Sequence, residues 1–392
     1  MVWLMALAPL VFRLLRAVWP IPHFGKTFVV TRYDDVRAVF LDDRTYRVPY
    51  REKLDVIMGG QPFFLGMDDT ADYRRDTGAM RQVVLRSDVP TLLAPDVERL
   101  AQDAVDKGNG QLEVVDSLVR HVTFKVFGKY FGITDPPGED LRVWATRLFE
   151  FQFADAGNDP ALRSEVDHIA PALCAHVLAL IEARLQSGMF GDDVLGRCLT
   201  MQAKGEIGFS DDQIRTALIG FMVGGPPQPP MVLPQALEQL LRRPDALAQA
   251  QQAARDGDDA LLAGFVFEAM RFDPLAPALP RVATQKSVIA VGTRHMTTIP
   301  SGANVYAAFS SAMMDERRIP SPLQFNPRRQ PHEYIHFGHG LHTCFGIHMN
   351  QALLPLMLKP LLKRSGLRRA PGRPGHLSKS GAFSNAINVL YD

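Results

Sequence analysis

Cysteine is scarce in this sequence, with three in 392 residues at positions 174, 198 and 344. Their wide spacing and odd number exclude a disulfide framework, and no pairs stand at the short spacing of a structural zinc site. Net charge is almost absent too, at +1 from 43 basic and 42 acidic residues. Nucleic-acid binders carry a marked basic excess, so no nucleic acid is expected as a partner. Internal repeats, low-complexity linkers and a clear domain boundary are also missing, and one domain over residues 1–392 is expected. Apolar content of 46% with 22% charged residues is ordinary for a soluble globular protein, and a reducing cytoplasmic location is expected.

A long hydrophobic run is lacking as well. Residues 1–19 are apolar, but Arg13 and Arg16 interrupt them, leaving about 12 residues before the first charge against the ~20 that span a bilayer. The segment also lacks the basic start of a secretory signal. A helix packed on the protein body is expected there, and contact with a membrane surface is the alternative.

What is present is mostly helical periodicity. Residues 24–31 are apolar and β-branched and predict a strand, followed by a helix over 33–41 with Asp34 as its cap. Leu118, Val122, Val126 and Tyr130 repeat every four residues and predict a long amphipathic helix. Ser210 and Gln213 form a capping box for a helix over 210–225. Four prolines at 226, 227, 229 and 230 then break it, because an interior proline removes a donor and clashes with the preceding turn, and helix resumes over 233–243. A further helix over 258–272 places Glu268 and Arg271 three apart on one face. Short strands are expected at 287–291 and 304–308. Phe63, Phe64, Phe151 and Phe153 are apolar pocket candidates, with ordinary core packing the competing reading for each.

The chemistry concentrates in 337–346, Phe-Gly-His-Gly-Leu-His-Thr-Cys-Phe-Gly, which leads into a helix over 348–362. Glycine lets backbone approach closely, and a helix N-terminus favours negative charge, so Cys344 can stand as a thiolate. His339, His342 and His348 would serve a cysteine nucleophile. A lone thiolate in such a loop can equally hold a haem iron. A buried inert cysteine is the third reading.

Phe337-Gly-x-Gly-x-His-x-Cys344-x-Gly346 resembles the haem-binding signature of the cytochrome P450 family. Glu268-Ala-Met-Arg271 resembles its Glu-x-x-Arg, and Phe325-Asn-Pro-Arg328-Arg329 resembles the segment completing that ion-pair network. Residues 28–40 and 116–133 look similar too, so the resemblance covers most of the chain. It implies a mainly α fold with a small β region, the haem lying between an I-like helix and the cysteine loop. It also implies haem b as cofactor, with Cys344 as the iron's thiolate ligand. Phe337 would pack beside the sulfur, glycines Gly338, Gly340 and Gly346 would admit close backbone, and His342 and Arg281 would meet propionates. Glu268, Arg271 and Arg329 would be structural.

The departures from the family pattern are as informative. The acid and alcohol that deliver protons in family monooxygenases would fall at Pro227 and Gln228, within Gly224-Gly225-Pro226-Pro227-Gln228, and neither residue can serve. In the segment 68–86, Asp72 and Asp76 fall where many bacterial members present a histidine and an arginine to the propionates; Arg74, Arg75 or Arg81 would replace them. The resemblance implies a monooxygenase acting on a hydrophobic small molecule, with ferredoxin and ferredoxin reductase as separate partners and no fused reductase. Rearrangement or dehydration of a hydroperoxide without reductant, or peroxygenase chemistry, is the alternative. A haem sensor without turnover is the third.

Overall fold

Two stretches far apart in sequence build the sheet-bearing part of the molecule. In this computed structural model, residues 2–392 are described, with side chains from residue 10 onward. The chain divides into one unit of Met1–Pro49 with Phe267–Ile347 and another of Tyr50–Val266 with His348–Asp392.

In the first unit a five-stranded sheet runs in the order His23–Phe24, Thr27–Val30, Asn304–Ala307, Leu279–Ala283, Tyr46–Arg47. Thr27–Val30 and Asn304–Ala307 pair in parallel, Val30 opposite Ala307, and the other pairs are antiparallel. Alternation decides the faces: Phe28, Val30, Val305 and Ala307 point into the core with Val36 and Val39 of the Tyr33–Leu41 helix. The strand expected over 24–31 is split in two, because Gly25 at φ +58° turns the chain and sets Phe24 opposite Thr27.

The Tyr33–Leu41 helix forms as the spacing predicts, but Asp34 does not cap it. Its terminal Tyr33 N–H donates instead to Asp315 Oδ2 at 3.0 Å, nearly 300 residues away, while Asp34 pairs with exposed Arg318. The first helix, Val2–Val18, is tied to the body through buried Arg16, whose Nη1 donates to Ser311 Oγ at 2.8 Å and to its carbonyl at 3.1 Å. Leu10, Leu14 and Val18, one turn apart, face solvent.

The second unit is helical with two small sheets. The run predicted from Leu118 to Tyr130 opens with a wide π turn over Val115–Arg120 and continues as the helix His121–Phe131, its four periodic residues all buried. Pro160–Ser187 is, by length and composition, long and apolar enough to cross a membrane; a third of its most apolar window is buried in the protein. Asp211–Gly224 carries the predicted capping box and is buried without interruption from Ile214 to Val223. It stops at Gly225, but helix resumes at Pro229–Leu241, four residues earlier than the sequence suggests. Pro229 and Pro230 occupy the first turn, where the missing N–H has no partner to lose. At the C-terminal end Asn388–Leu390 pairs between Gln111–Glu113 and Arg368–Arg369.

Candidate functional site

The site begins with a buried ion network in the sheet-bearing unit. Helical spacing puts Glu268 and Arg271 on one face of Asp259–Phe272, and both are fully buried. Arg271 grips the carboxylate with two bonds, Nη2 to Oε1 at 2.7 Å and Nε to Oε2 at 2.8 Å. Arg329 Nε donates to the same oxygens at 3.1 and 3.2 Å, and its Nη1 donates to Glu333 Oε2 at 2.9 Å. Two guanidinium groups thus meet two carboxylates, so the charge is balanced where desolvation is most costly.

The rest of the network satisfies backbone. Arg329 donates to the carbonyls of Pro320, Ser321 and Gln324, and Arg271 to that of Met313. Asn326 N–H and the Tyr334 hydroxyl donate to Glu268 at 2.9 and 3.2 Å. Burial raises the Glu268 carboxyl, but the hydrogen bonds and charge of Arg271, with Asn326 and Arg329, overcome it and hold the group below its ordinary value. Tyr334 is shifted the other way, by burial and then by the Glu268 charge. Arg328 is exposed, which separates it from its neighbour. Glu333 and Tyr334 are members that sequence reasoning missed; the four-residue spacing from Arg329 to Glu333 was the available signal.

From this anchor the chain enters the cysteine loop. His336 Nε2 donates to Phe267 O at 2.9 Å, and burial, with Arg271 nearby, lowers its pKa to about 4. Phe337 packs edge-on to Phe267, 6.1 Å between centroids. Cys344 N–H donates to Phe337 O at 2.9 Å, closing the loop on itself. Inside, Thr343 donates to Gly340 O through both its N–H and its hydroxyl. Gly338 and Gly340 are left-handed at φ +70° and +78°, and a Cβ on Gly340 would lie 2.3 Å from Phe40 O. Only glycine fits there. Gly346 immediately precedes the helix Ile347–Lys363.

The other predicted cofactor residues of this unit collect around the loop. Arg281, on the strand Leu279–Ala283, is buried with its guanidinium 5.0 Å above the Phe40 ring, and it donates to Pro280 O at 2.9 Å. His342 lies in its field: burial first, then the Arg281 charge, lowers the imidazole to about 4. His339 accepts from Arg37 Nη2 at 3.1 Å and is lowered by burial and that charge. The three thiols differ in setting. Cys174 and Cys198 are buried and held protonated, Cys198 pushed up to about 12 by burial, whereas Cys344 is half-exposed in its loop. Among the described residues no three His, Cys, Asp or Glu side chains converge to hold a metal ion by themselves.

The remaining predicted positions belong to the helical unit. In the break after Gly224, Pro226 and Pro227 are buried. Gln228 turns its amide back, Nε2 donating to Gly224 O, and so satisfies a carbonyl that the break would orphan. On Ala71–Val83, Arg74 is engaged by Asp69 and Arg75 by Asp72 and Asp76, while Arg81 is exposed. Phe63 and Phe64 lie 4.2 Å apart, and the Phe63 ring fills the notch left by Gly220. Phe151 sits beneath Lys53 Nζ at 4.8 Å, and Phe153 packs on Tyr50 and Phe149.

Comparison with known proteins agrees with this arrangement. The family model of cytochrome P450 matches residues 173–381. The chain is 27% identical over 389 residues to a bifunctional dioxygenase–epoxy alcohol synthase of Fusarium oxysporum, covering 88% of the chain but only 30% of that longer protein. It is 25% identical over 365 residues to the cytochrome P450 monooxygenase PikC of Streptomyces venezuelae, covering 91% and 82% of the two chains. Among solved structures, ligand-free cytochrome P450 TbtJ1 superposes with a TM-score of 0.82 at 21% identity, covering 99% and 98%. With the signature loop, the Glu-x-x-Arg network and the whole fold in agreement, the chain belongs to the cytochrome P450 family of haem-thiolate oxidoreductases.

Proposed function

We propose that this protein is a cytoplasmic monooxygenase, one catalytic domain over residues 1–392, that binds haem b through Cys344 and oxidises a hydrophobic small molecule. Its electrons would come from a separate ferredoxin and ferredoxin reductase. The observation that carries the reading is the closed loop from Phe337 to Cys344, seated on the Glu268–Arg271–Arg329 network.

The donor set fits a haem. Phe337, Leu341, Phe345 and Ile347 are apolar yet only half-buried around the half-exposed thiol, which suits a flat apolar group lying against them. Arg281 and His342 stand together, and an anionic propionate would balance the Arg281 charge that, after burial, keeps His342 from protonating. The left-handed glycines Gly338 and Gly340, with Gly346, leave no side chains in the way. When bound, the haem would supply an iron whose oxygen chemistry a thiolate ligand promotes. The chain's own part is to present that thiolate, hold the propionates and shed water from an apolar surface. Gln228 would hold a hydrogen bond but has no acidic proton to give.

This last point favours a second reading, reductant-independent rearrangement of a hydroperoxide. Such a substrate brings oxygen already reduced and needs no acid–alcohol relay. The epoxy alcohol synthase relative, and a similar one from Pyricularia oryzae at 25% identity, are consistent with it.

Two assays on purified haem-loaded protein separate the readings: oxygen-dependent oxidation with a surrogate ferredoxin and reductase, and consumption of a fatty-acid hydroperoxide without reductant. Oxygen-dependent turnover supports the first reading, and hydroperoxide turnover alone sinks it. Cys344→Ala must abolish the thiolate-type spectrum of the reduced carbon monoxide complex; retention of that band refutes the ligand assignment.

A further inference from the structure

One side of the first helix is pinned and the other is open. Arg16, bonded to Ser311, fixes the inner side of Val2–Val18, while Leu10, Leu14 and Val18 run along the outer side at 61–64% exposure. The stripe does not end with the helix. Trp19 follows Val18 and packs edge-on to Phe24, 5.8 Å between centroids, and Phe24 is 74% exposed beside the Gly25 turn. Val11 is exposed as well, so six large apolar side chains gather in this one region. Single exposed apolar residues are ordinary, but a contiguous patch marks a surface that another body covers.

Basic residues rim the stripe. Arg13 precedes Leu14 and Lys26 follows the Gly25 turn; both are exposed, and neither has an acidic partner among the described residues. At the helix end, Arg32 Nε and Arg317 Nη2 both donate to the Arg16 carbonyl, at 3.1 and 3.2 Å. Burial, then the charges of Arg32, Arg294 and Arg317, lower the His295 imidazole, which places Arg294 in the same cluster. The acids do not match them. Asp315 is buried between Arg317 Nη1 at 2.9 Å and Tyr33 N–H at 3.0 Å, and Asp34 is paired with Arg318. That leaves Asp35 and Glu316 against Arg13, Lys26, Arg32 and Arg294. A second copy of the chain would set this positive rim against its like, which opposes self-association through the face.

We propose that this face lies on a membrane surface carrying anionic lipid headgroups. Leu10, Leu14, Val18, Trp19 and Phe24 enter the acyl boundary to a depth of about 5–10 Å, and the basic rim meets the headgroup phosphates. The helix lies on the bilayer and does not cross it. Arg16 stays bonded to Ser311 in the protein body, and 17 residues reach only about 26 Å. The proposal is independent of the oxidoreductase reading, because binding is read without turnover.

Sedimentation of the haem-loaded full chain with vesicles tests it, comparing equal parts of phosphatidylglycerol and phosphatidylcholine with phosphatidylcholine alone. The native protein is expected to pellet with the anionic vesicles and to bind the neutral ones about tenfold or more weakly. The double variant Leu14→Glu/Phe24→Glu, changed only at exposed positions, should lose at least about tenfold in binding. Arg13→Gln and Lys26→Gln should each weaken binding to the anionic vesicles roughly fivefold. An unchanged haem spectrum and melting temperature show that each variant is folded. The proposal is overturned if the native protein stays in solution with both kinds of vesicle, whether as a monomer, a dimer or a complex with another protein. Equal binding to both kinds overturns it too, as does a folded double variant that binds within twofold of native.

Discussion

Replacing Glu268 by glutamine tests the structural core of the site most directly. The carboxylate receives two bonds from Arg271 at 2.7 and 2.8 Å, two from Arg329 at 3.1 and 3.2 Å, one from Asn326 N–H and one from Tyr334. A glutamine keeps one acceptor oxygen but turns a donor towards two fully buried guanidinium groups and removes the charge that balances them. Breaking a buried pair in this way costs about 3–5 kcal/mol, a large share of the 5–15 kcal/mol that holds a typical domain. Asp34→Asn, at an ion pair whose side chains are more than half exposed, is the control and should cost less than about 1 kcal/mol. The assay is urea denaturation followed by circular dichroism, with haem incorporation measured alongside. Acid supplies the signature. Because the folded Glu268 is held below its ordinary value, its contribution is complete above the ordinary carboxylate range and disappears as pH falls through the folded value. The gap between native protein and Glu268→Gln must therefore narrow on acidification. A gap under about 1 kcal/mol at pH 7, or one independent of pH, refutes the argument.

The remaining predictions concern the loop and the broken helix. Gly340→Ala forces an alanine into left-handed backbone against Phe40 O and should cost at least about 2 kcal/mol in denaturation. Gly78→Ala, in the interior of Ala71–Val83 with open space around it, should stabilise by about 0.5–1 kcal/mol in the same assay. Gln228→Leu removes the donor to Gly224 O and should cost about 1 kcal/mol; a rise in melting temperature contradicts the bond's role. His342 has a folded value of about 4, below its ordinary one, so the unfolded chain takes up the proton first as pH drops. Haem-free native protein should lose stability relative to His342→Gln from about pH 6.5 down to about 4, and the loss should shrink when haem is bound. Parallel pH curves for the two proteins would argue against it.

Much of the local structure was legible because it is written in short-range terms. The capping box at Ser210, the four-residue spacing from Leu118 to Tyr130 and the Glu268–Arg271 pair each depend on neighbours within one or two turns, and all three stand as expected. The misreadings occurred where local rules competed. Gly25 turned one strand into a hairpin, and prolines at the first turn of a helix let it restart early. Asp34 looked like a cap, but Asp315 took that role from across the chain.

For the site, sequence alone singled out the candidate residues: one cysteine among small residues and histidines, an acid and an arginine three apart, and a helix broken by prolines. Those are properties of residue type and spacing. Only the tertiary structure decided how they are held. It brought Tyr334 and Glu333 onto the ion network, set Arg281 beside Phe40 and His342, pressed Gly340 against Phe40 O and turned the Gln228 amide back to Gly224. It also buried the Thr216 hydroxyl without a hydrogen-bond partner. Apart from the Gln228 turn and the short Arg329–Glu333 step, these relations join residues distant in sequence or depend on the packing around them. Burial, which gives charges and hydrogen bonds their strength, exists only once the chain has closed around them.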